Sequence, residues 1–243
     1  METIIVKGRK MKLNNIYIIG NGYLSKKLRN IIDFFDKITF IKKISNFDIF
    51  SSTNNIYIFS CFPSVEFQNY ISEFDKKKFI VYQASKIAFK NNNYFIFFNS
   101  LRTQYQIINS KFDKDYIKYN LKFLDLSLTY KHFYNLLLPF IYDKDLIKKK
   151  NSVVYKIYHN ILTEKDFDNQ YIPFMEYKNF EKYLIKLIKK IINSDENNVQ
   201  DNFNNFNNFN ILSNILIPEH SLITARNFYN KIKKDIIKDQ NDF

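Results

Sequence analysis

Residues Asn14 to Phe35 read NNIYIIGNGYLSKKLRNIIDFF, and the order of pieces within them decides the fold. Ile16 to Ile19 form a β-branched and aromatic run, the composition of a buried strand. Gly20-Asn21-Gly22-Tyr23-Leu24-Ser25 follows at once, and Leu24, Leu28, Ile31, Ile32 and Phe35 then recur at helical spacing. Strand, glycine turn and helix in this order open a dinucleotide-binding βαβ unit. Gly20 allows the tight turn, and Gly22 lets backbone N–H groups approach a pyrophosphate at the helix start. Ser25 stands at the third glycine position, where helix–strand packing needs a small side chain. An ordinary strand-turn-helix that binds nothing has the same periodicity. It does not explain why two of the chain's three glycines fall here.

The 243 residues suit one α/β domain, or one large domain with an appendage. With 46% hydrophobic residues, 26 Phe and 18 Tyr, the chain can build a sizeable core and is not a disordered one. No apolar run reaches membrane-spanning length, no signal-peptide pattern is present, and the single cysteine, Cys61, suits a reducing compartment. The expectation is a cytoplasmic protein without a membrane partner. The net charge of +13 invites nucleic-acid binding. Against it, Lys, Asn, Ile, Phe and Tyr are abundant while Ala, Gly, Pro and Trp are scarce, as A+T-rich coding imposes. The lysines are scattered, with short clusters at Lys76–Lys78 and Lys148–Lys150, so no nucleic-acid partner is expected.

Working outward, residues 1–10 read as an extension, with Thr3 to Val6 as an extra edge strand at most. Ile38 to Ile41 read as the second strand. Its end, about 20 residues past the glycines, is where an acidic residue would hold the ribose of NAD. Lys42-Lys43 stand there instead, which favours a 2′-phosphate and so NADP, although solvated lysines are equally compatible. Asp48-Ile49-Phe50 and Ile56 to Phe59 read as short strands with no room for a crossover helix between them, so the nucleotide half is trimmed. Ser60 follows a central strand on the carboxyl edge, where ligands bind in open α/β sheets. Ser64 to Lys90 reads as helical, and Tyr94 to Phe98 is the most apolar strand, ending at Asn99-Ser100. Leu136 to Asp143 reads as one buried strand running into a turn. Phe180 to Ile192 is the best amphipathic helix, with Leu184, Leu187, Ile188, Ile191 and Ile192 on one stripe. Residues 195–210 read as an Asn-rich surface loop and Phe209 to Leu212 as a last strand. Ser221 then caps a final helix along which Ala225, Phe228, Tyr229, Ile232 and Ile236 lie together.

This order resembles an extended short-chain dehydrogenase/reductase, the nucleotide-sugar epimerase and dehydratase family. IYIIGNGYLSKKL, YFIFFNS (94–100), LLLPFIYD (136–143) and FNILSN (209–214) carry the resemblance, with QYIPFMEYKNFEKYLIKLI (170–188) where the family re-enters the cofactor domain. The resemblance implies an α/β, Rossmann-like, doubly wound and mostly parallel sheet with a small C-terminal mixed lobe. Residues 11–143 would form the NAD(P)-binding domain, with 171–194 returning to it, and 144–170 plus 195–243 the substrate lobe. It implies NADP or NAD bound by Gly20, Asn21, Gly22, Tyr23, Leu24, Lys42, Ser60 and Pro139. The substrate would be a nucleotide-activated sugar in surface polysaccharide biosynthesis, and a homodimer is compatible with it.

The family's chemistry uses a Ser or Thr after the fifth strand and Tyr-x-x-x-Lys on the next helix, the tyrosine as acid or base and the lysine lowering its pKa. Ser100 stands at the serine position. Lys111 stands where the lysine belongs, but Ile107 is four residues before it, and the nearest phenol is Tyr105. Six residues turn an ideal helix by about 600°, so Tyr105 and Lys111 do not share a face without a local irregularity. Ser100, Tyr105 and Lys111 are the expected reactive set, and a catalytically silent member of the family is the rival reading. Tyr82-Gln-Ala-Ser-Lys86 is a literal match to the motif, but it lies too close to the strand at Tyr94 for the catalytic helix to finish and turn. The competing layout makes Phe79 to Ser85 the fifth strand, with Ser85 as the serine. His132, His159 and His220 are far apart and give no zinc pattern, so no metal is expected.

Overall fold

Strands buried on both faces read as continuous apolar runs, and such runs assemble into parallel sheets. In the computed structural model, residues 15–42, 47–60, 91–101, 132–148, 171–193, 215–216 and 220–241 are described, with Gln83, Lys86, Ile87, Lys90, Tyr155 and Pro218. Strands β1 (Asn15–Ile19), β2 (Ile38–Ile41), β3 (Asn55–Phe59), β4 (Tyr94–Ser100), β5 (Phe133–Leu138) and β8 (Ile215–Leu216) form a six-stranded sheet in the order β2-β1-β3-β4-β5-β8. Every ladder in it is parallel. The chain runs from β1 to β2 on one side and then places β3 on the other side of β1. That reversal is the topological switch point of a Rossmann-like α/β fold. β3 pairs directly with β4. Of Phe79 to Ser85, the fifth strand of the competing layout, all but Gln83 lie outside the described residues.

The two faces of the sheet differ in chemistry. On one face Ile16, Ile18, Ile56, Ile58, Ile96 and Leu136 pack with Leu28 and Ile31 and with helix α2 (Tyr177–Asn193). Phe180, Leu184, Ile188 and Ile191 on α2 are fully buried there, and Phe98 meets Phe180 edge-on at 5.6 Å. Truncating Leu184 to Ala would cost about 2–5 kcal/mol. The other face is an aromatic ladder, with Tyr17 stacked on Tyr57 at 5.0 Å, Phe59 on Phe95 at 5.2 Å and Phe95 on Phe133 at 4.8 Å.

A second sheet holds β6 (Phe140–Tyr142), β7 (Tyr171–Glu176) and β9 (Ser221–Thr224), with β6 parallel and β9 antiparallel to β7. Helix α3 (Ala225–Asn241) covers it through Phe228 and Ile232. Lys231 ties α3 down, pairing with Glu176 at 2.7 Å and lying over the Tyr142 and Phe174 rings.

Four sequence readings are corrected here. The run Leu136 to Tyr142 is two strands in two sheets, because buried Pro139 has no N–H to continue the ladder. Asp48–Phe50 is a 3-10 turn rather than a strand, folded so that the buried Phe50 ring meets Tyr57 at 4.8 Å. Ser221 does not cap α3. It begins β9 opposite Phe174, as suits a stretch containing Ile223 and Thr224. The first helix is short: α1 covers Tyr23–Lys27 and then tightens into a 3-10 segment, Leu28–Phe34. That tightening puts Leu28 and Ile31, three apart, on one buried face. The stretch Phe209 to Leu212 lies outside the described residues; the strand found nearby is β8.

Candidate functional site

The carboxyl ends of β1, β2 and β3 meet around the glycine turn. Gly20 has φ 143°, which a side chain forbids, and its N–H donates to the Ile41 carbonyl at 2.8 Å. This pins the turn to the end of β2, so exposed Lys42, the next residue after Ile41, stands beside it. Lys43 lies outside the described residues. Asn21 is exposed, while Gly22, Tyr23 and Leu24 are half-buried. Gly22 sits at φ −74° and ψ 178°, extended backbone open to any residue, as the residue before α1. Its conformation does not demand glycine. What the glycine supplies at the helix start is the absence of a side chain, as a backbone cradle for an anion needs.

Under the turn, Ser60 closes the gap between β1 and β3. Its N–H and hydroxyl both donate to the Ile19 carbonyl, at 3.1 and 3.2 Å. Its oxygen lies 2.6 Å from the Ser25 oxygen, so Ser25 is the donor in that pair. Ser25 and Ser60 are both buried. A serine at the third glycine position therefore points beneath the turn and fastens α1 to β3. Pro139 is buried at the crossing between the two sheets, and the Leu101 N–H donates to the Leu138 carbonyl just before it at 2.8 Å. Ser100 is the last residue of β4, paired with Leu138, and so belongs to the same edge of the sheet. Tyr105, Lys111, Tyr82 and His159 lie outside the described residues. His132 precedes β5 and stacks on Tyr94 at 4.4 Å, at the opposite edge, and His220 meets the Pro218 carbonyl at 3.0 Å.

The structure brings forward a cluster that the sequence reading missed. Lys27, at the end of α1, pairs with Asp143 at 2.9 Å and with Asp145 at 2.6 Å. Its ammonium also lies 5.9 Å from the Tyr23 ring centre and 5.8 Å from that of Tyr177. Asp143 accepts the Asp145 N–H at 3.0 Å. Burial works against the Lys27 charge, but Asp145 and Asp143 outweigh it and raise the pKa. Burial likewise opposes the Asp143 charge, and Lys27 outweighs it, so the carboxyl titrates below its usual range. Burial and then Asp143 push the Tyr23 phenol well above its ordinary value. Tyr23 and Lys27 have the Tyr-x-x-x-Lys spacing, as do Tyr229 and Lys233, and that spacing was the available signal. Burial and the Asp143 carboxylate raise the Tyr23 phenol's pKa, the opposite of what a tyrosine base near neutrality needs.

No protein-family model and no curated protein matches the chain. Among solved structures, the chain is similar to the capsular polysaccharide assembling protein CapF from Staphylococcus aureus, at TM-score 0.53 and 14% identity. The match covers 91% of this chain and 58% of that one, and likeness at this identity is a likeness of fold.

Proposed function

We propose that the protein binds NADP or NAD over Gly20 to Leu24 and acts, as a divergent short-chain dehydrogenase/reductase, on a nucleotide-activated sugar in surface polysaccharide assembly. The observation that carries this reading is the glycine turn at the switch point. Gly20 is there because its φ requires it, and Gly22 because a side chain would fill the approach to the helix start. Lys42 beside the turn supports a 2′-phosphate partner. The likeness to CapF, a capsular polysaccharide assembling protein, supports the pathway class. On this reading the turn's N–H groups hold the pyrophosphate and the cofactor supplies hydride chemistry. Ser100, with Tyr105 and Lys111, handles the sugar's hydroxyl proton.

Calorimetry with NADPH and NADH tests this directly. Gly22→Val should abolish binding while circular dichroism stays native. A wild-type protein that binds neither at millimolar concentration ends the reading. Lys42→Glu with Lys43→Glu should weaken NADPH more than NADH, and equal losses would mean the lysines merely face solvent.

A second reading, a binding protein without turnover, is favoured by the Tyr23–Lys27 pair. A phenol and a lysine stand together at this edge, but burial and Asp143 raise the phenol's pKa where a catalytic base needs it lowered. Cofactor binding with no NADPH oxidation across a panel of nucleotide sugars would select it.

A further inference from the structure

Helix α1 is five residues long and runs on into the 3-10 segment Leu28–Phe34, together a length still marginal for a helix alone in water. Something outside it must keep the glycine turn in shape. One end is held by the Gly20–Ile41 and Ser25–Ser60 hydrogen bonds. The other end is held by buried Leu28 and Ile31 just beyond it and by Lys27, whose ammonium is in reach of the Asp143–Asp145 loop after β6, the Tyr177 ring that starts α2, and the Tyr23 ring of α1 itself. The Lys27 and Asp143 side chains are 25% and 12% exposed, so the pair is partly desolvated; removing Lys27 takes the cation from Asp143, and removing the Asp143 charge leaves Lys27 paired with exposed Asp145. Lys231 has the same construction, with two carboxylates and two ring faces, but its partners all belong to the second sheet and α3. Lys27 differs in bridging the two sheets at the candidate site.

We propose that Lys27 is a positioning residue that locks the glycine turn to the second sheet through Asp143, so that dinucleotide affinity depends on the Lys27–Asp143 pair. This rests on the dinucleotide reading above. The second sheet then acts as part of the scaffold of the turn.

The test is a double-mutant cycle read by NADPH calorimetry, with thermal unfolding followed in parallel. Lys27→Met and Asp143→Asn should each weaken NADPH about tenfold, the combined variant should be no worse than the weaker single one, and Lys27→Arg should restore most of the affinity. Should Lys27→Met fail to fold, the near-isosteric Asp143→Asn and the Lys27→Arg rescue carry the test. Additive losses in the cycle overturn the proposal, as do variants whose thermal midpoint falls while NADPH affinity stays that of the wild type. Wild-type protein that binds no NADPH overturns the dinucleotide reading, and this inference with it. Wild type that binds alongside an equally tight Lys27→Met overturns the inference alone.

Discussion

The two ends of the parallel sheet solve the same turning problem with different residues. At the amino edge the chain turns through Asn54 at φ 58° and Asn92 at φ 52°. Both lie in the left-handed region that asparagine tolerates. At the carboxyl edge Gly20 stands at φ 143°, beyond what asparagine reaches. Among the described residues, asparagine serves the two left-handed turns it can reach, and glycine stands at Gly20, where the backbone angle requires it. The polar groups differ in the same sense. The Asn93 side chain accepts the Asn55 N–H at 2.8 Å and donates to the Phe50 and Ser52 carbonyls at 3.2 and 2.7 Å. Asn55 in turn reaches Ser52 at 2.8 Å and Tyr57 at 3.1 Å. That edge closes on itself, as a stability element does. The carboxyl edge ties its hydroxyls beneath the turn and leaves Asn21 and Lys42 outward.

Breaking the amino edge should give the largest loss of stability. Asn93→Leu deletes three hydrogen bonds and leaves the buried Asn55 N–H without its acceptor, a cost of about 3 kcal/mol. Urea denaturation reads the loss, and NADPH affinity of the folded protein should not move. An unchanged midpoint would show that this network is decoration. Gly20→Ala comes next, at about 1–3 kcal/mol for a strained backbone, and this variant should lose both stability and NADPH. Ser25→Ala removes the buried bond to Ser60, about 1 kcal/mol, and should loosen α1 without abolishing binding.

What was legible in the sequence follows from how local each signal is. Strands β1 to β4 of the main sheet announced themselves as apolar runs, and α2 by its stripe, because both depend on side chains close in sequence; β5 was read only from Leu136 on, and the two-residue β8 was not read at all. Gly20 and Gly22 were legible because glycine is rare here. Asp48–Phe50 and Ser221 were misread because the partners that decide them, Tyr57 and β7, lie elsewhere in the chain. The same holds for Lys27: Tyr23 was visible four residues away, but Asp143 is 116 positions distant, and no local pattern predicts that pairing.

The smallest effect separates the two edges by pH. Asp143 has its folded pKa lowered, so the stability it contributes is full above the unfolded carboxylate value of about 3.9 and is lost as pH falls through its folded value. Lys27 and Tyr23 are raised, so their contributions are full below their unfolded values of about 10 and are lost only as pH rises beyond them. Acidification below pH ~4 therefore acts on the carboxyl edge through Asp143 and not through its two neighbours. The asparagine network at the amino edge carries no charge to titrate. The stability gap between wild type and Asp143→Asn should accordingly shrink as pH drops from about 5 to 3, while the gap between wild type and Asn93→Leu stays constant. A gap for Asp143→Asn that is equally wide at both ends would mean the carboxyl titrates as it does in the unfolded chain. The Lys27 pair would then hold nothing in place.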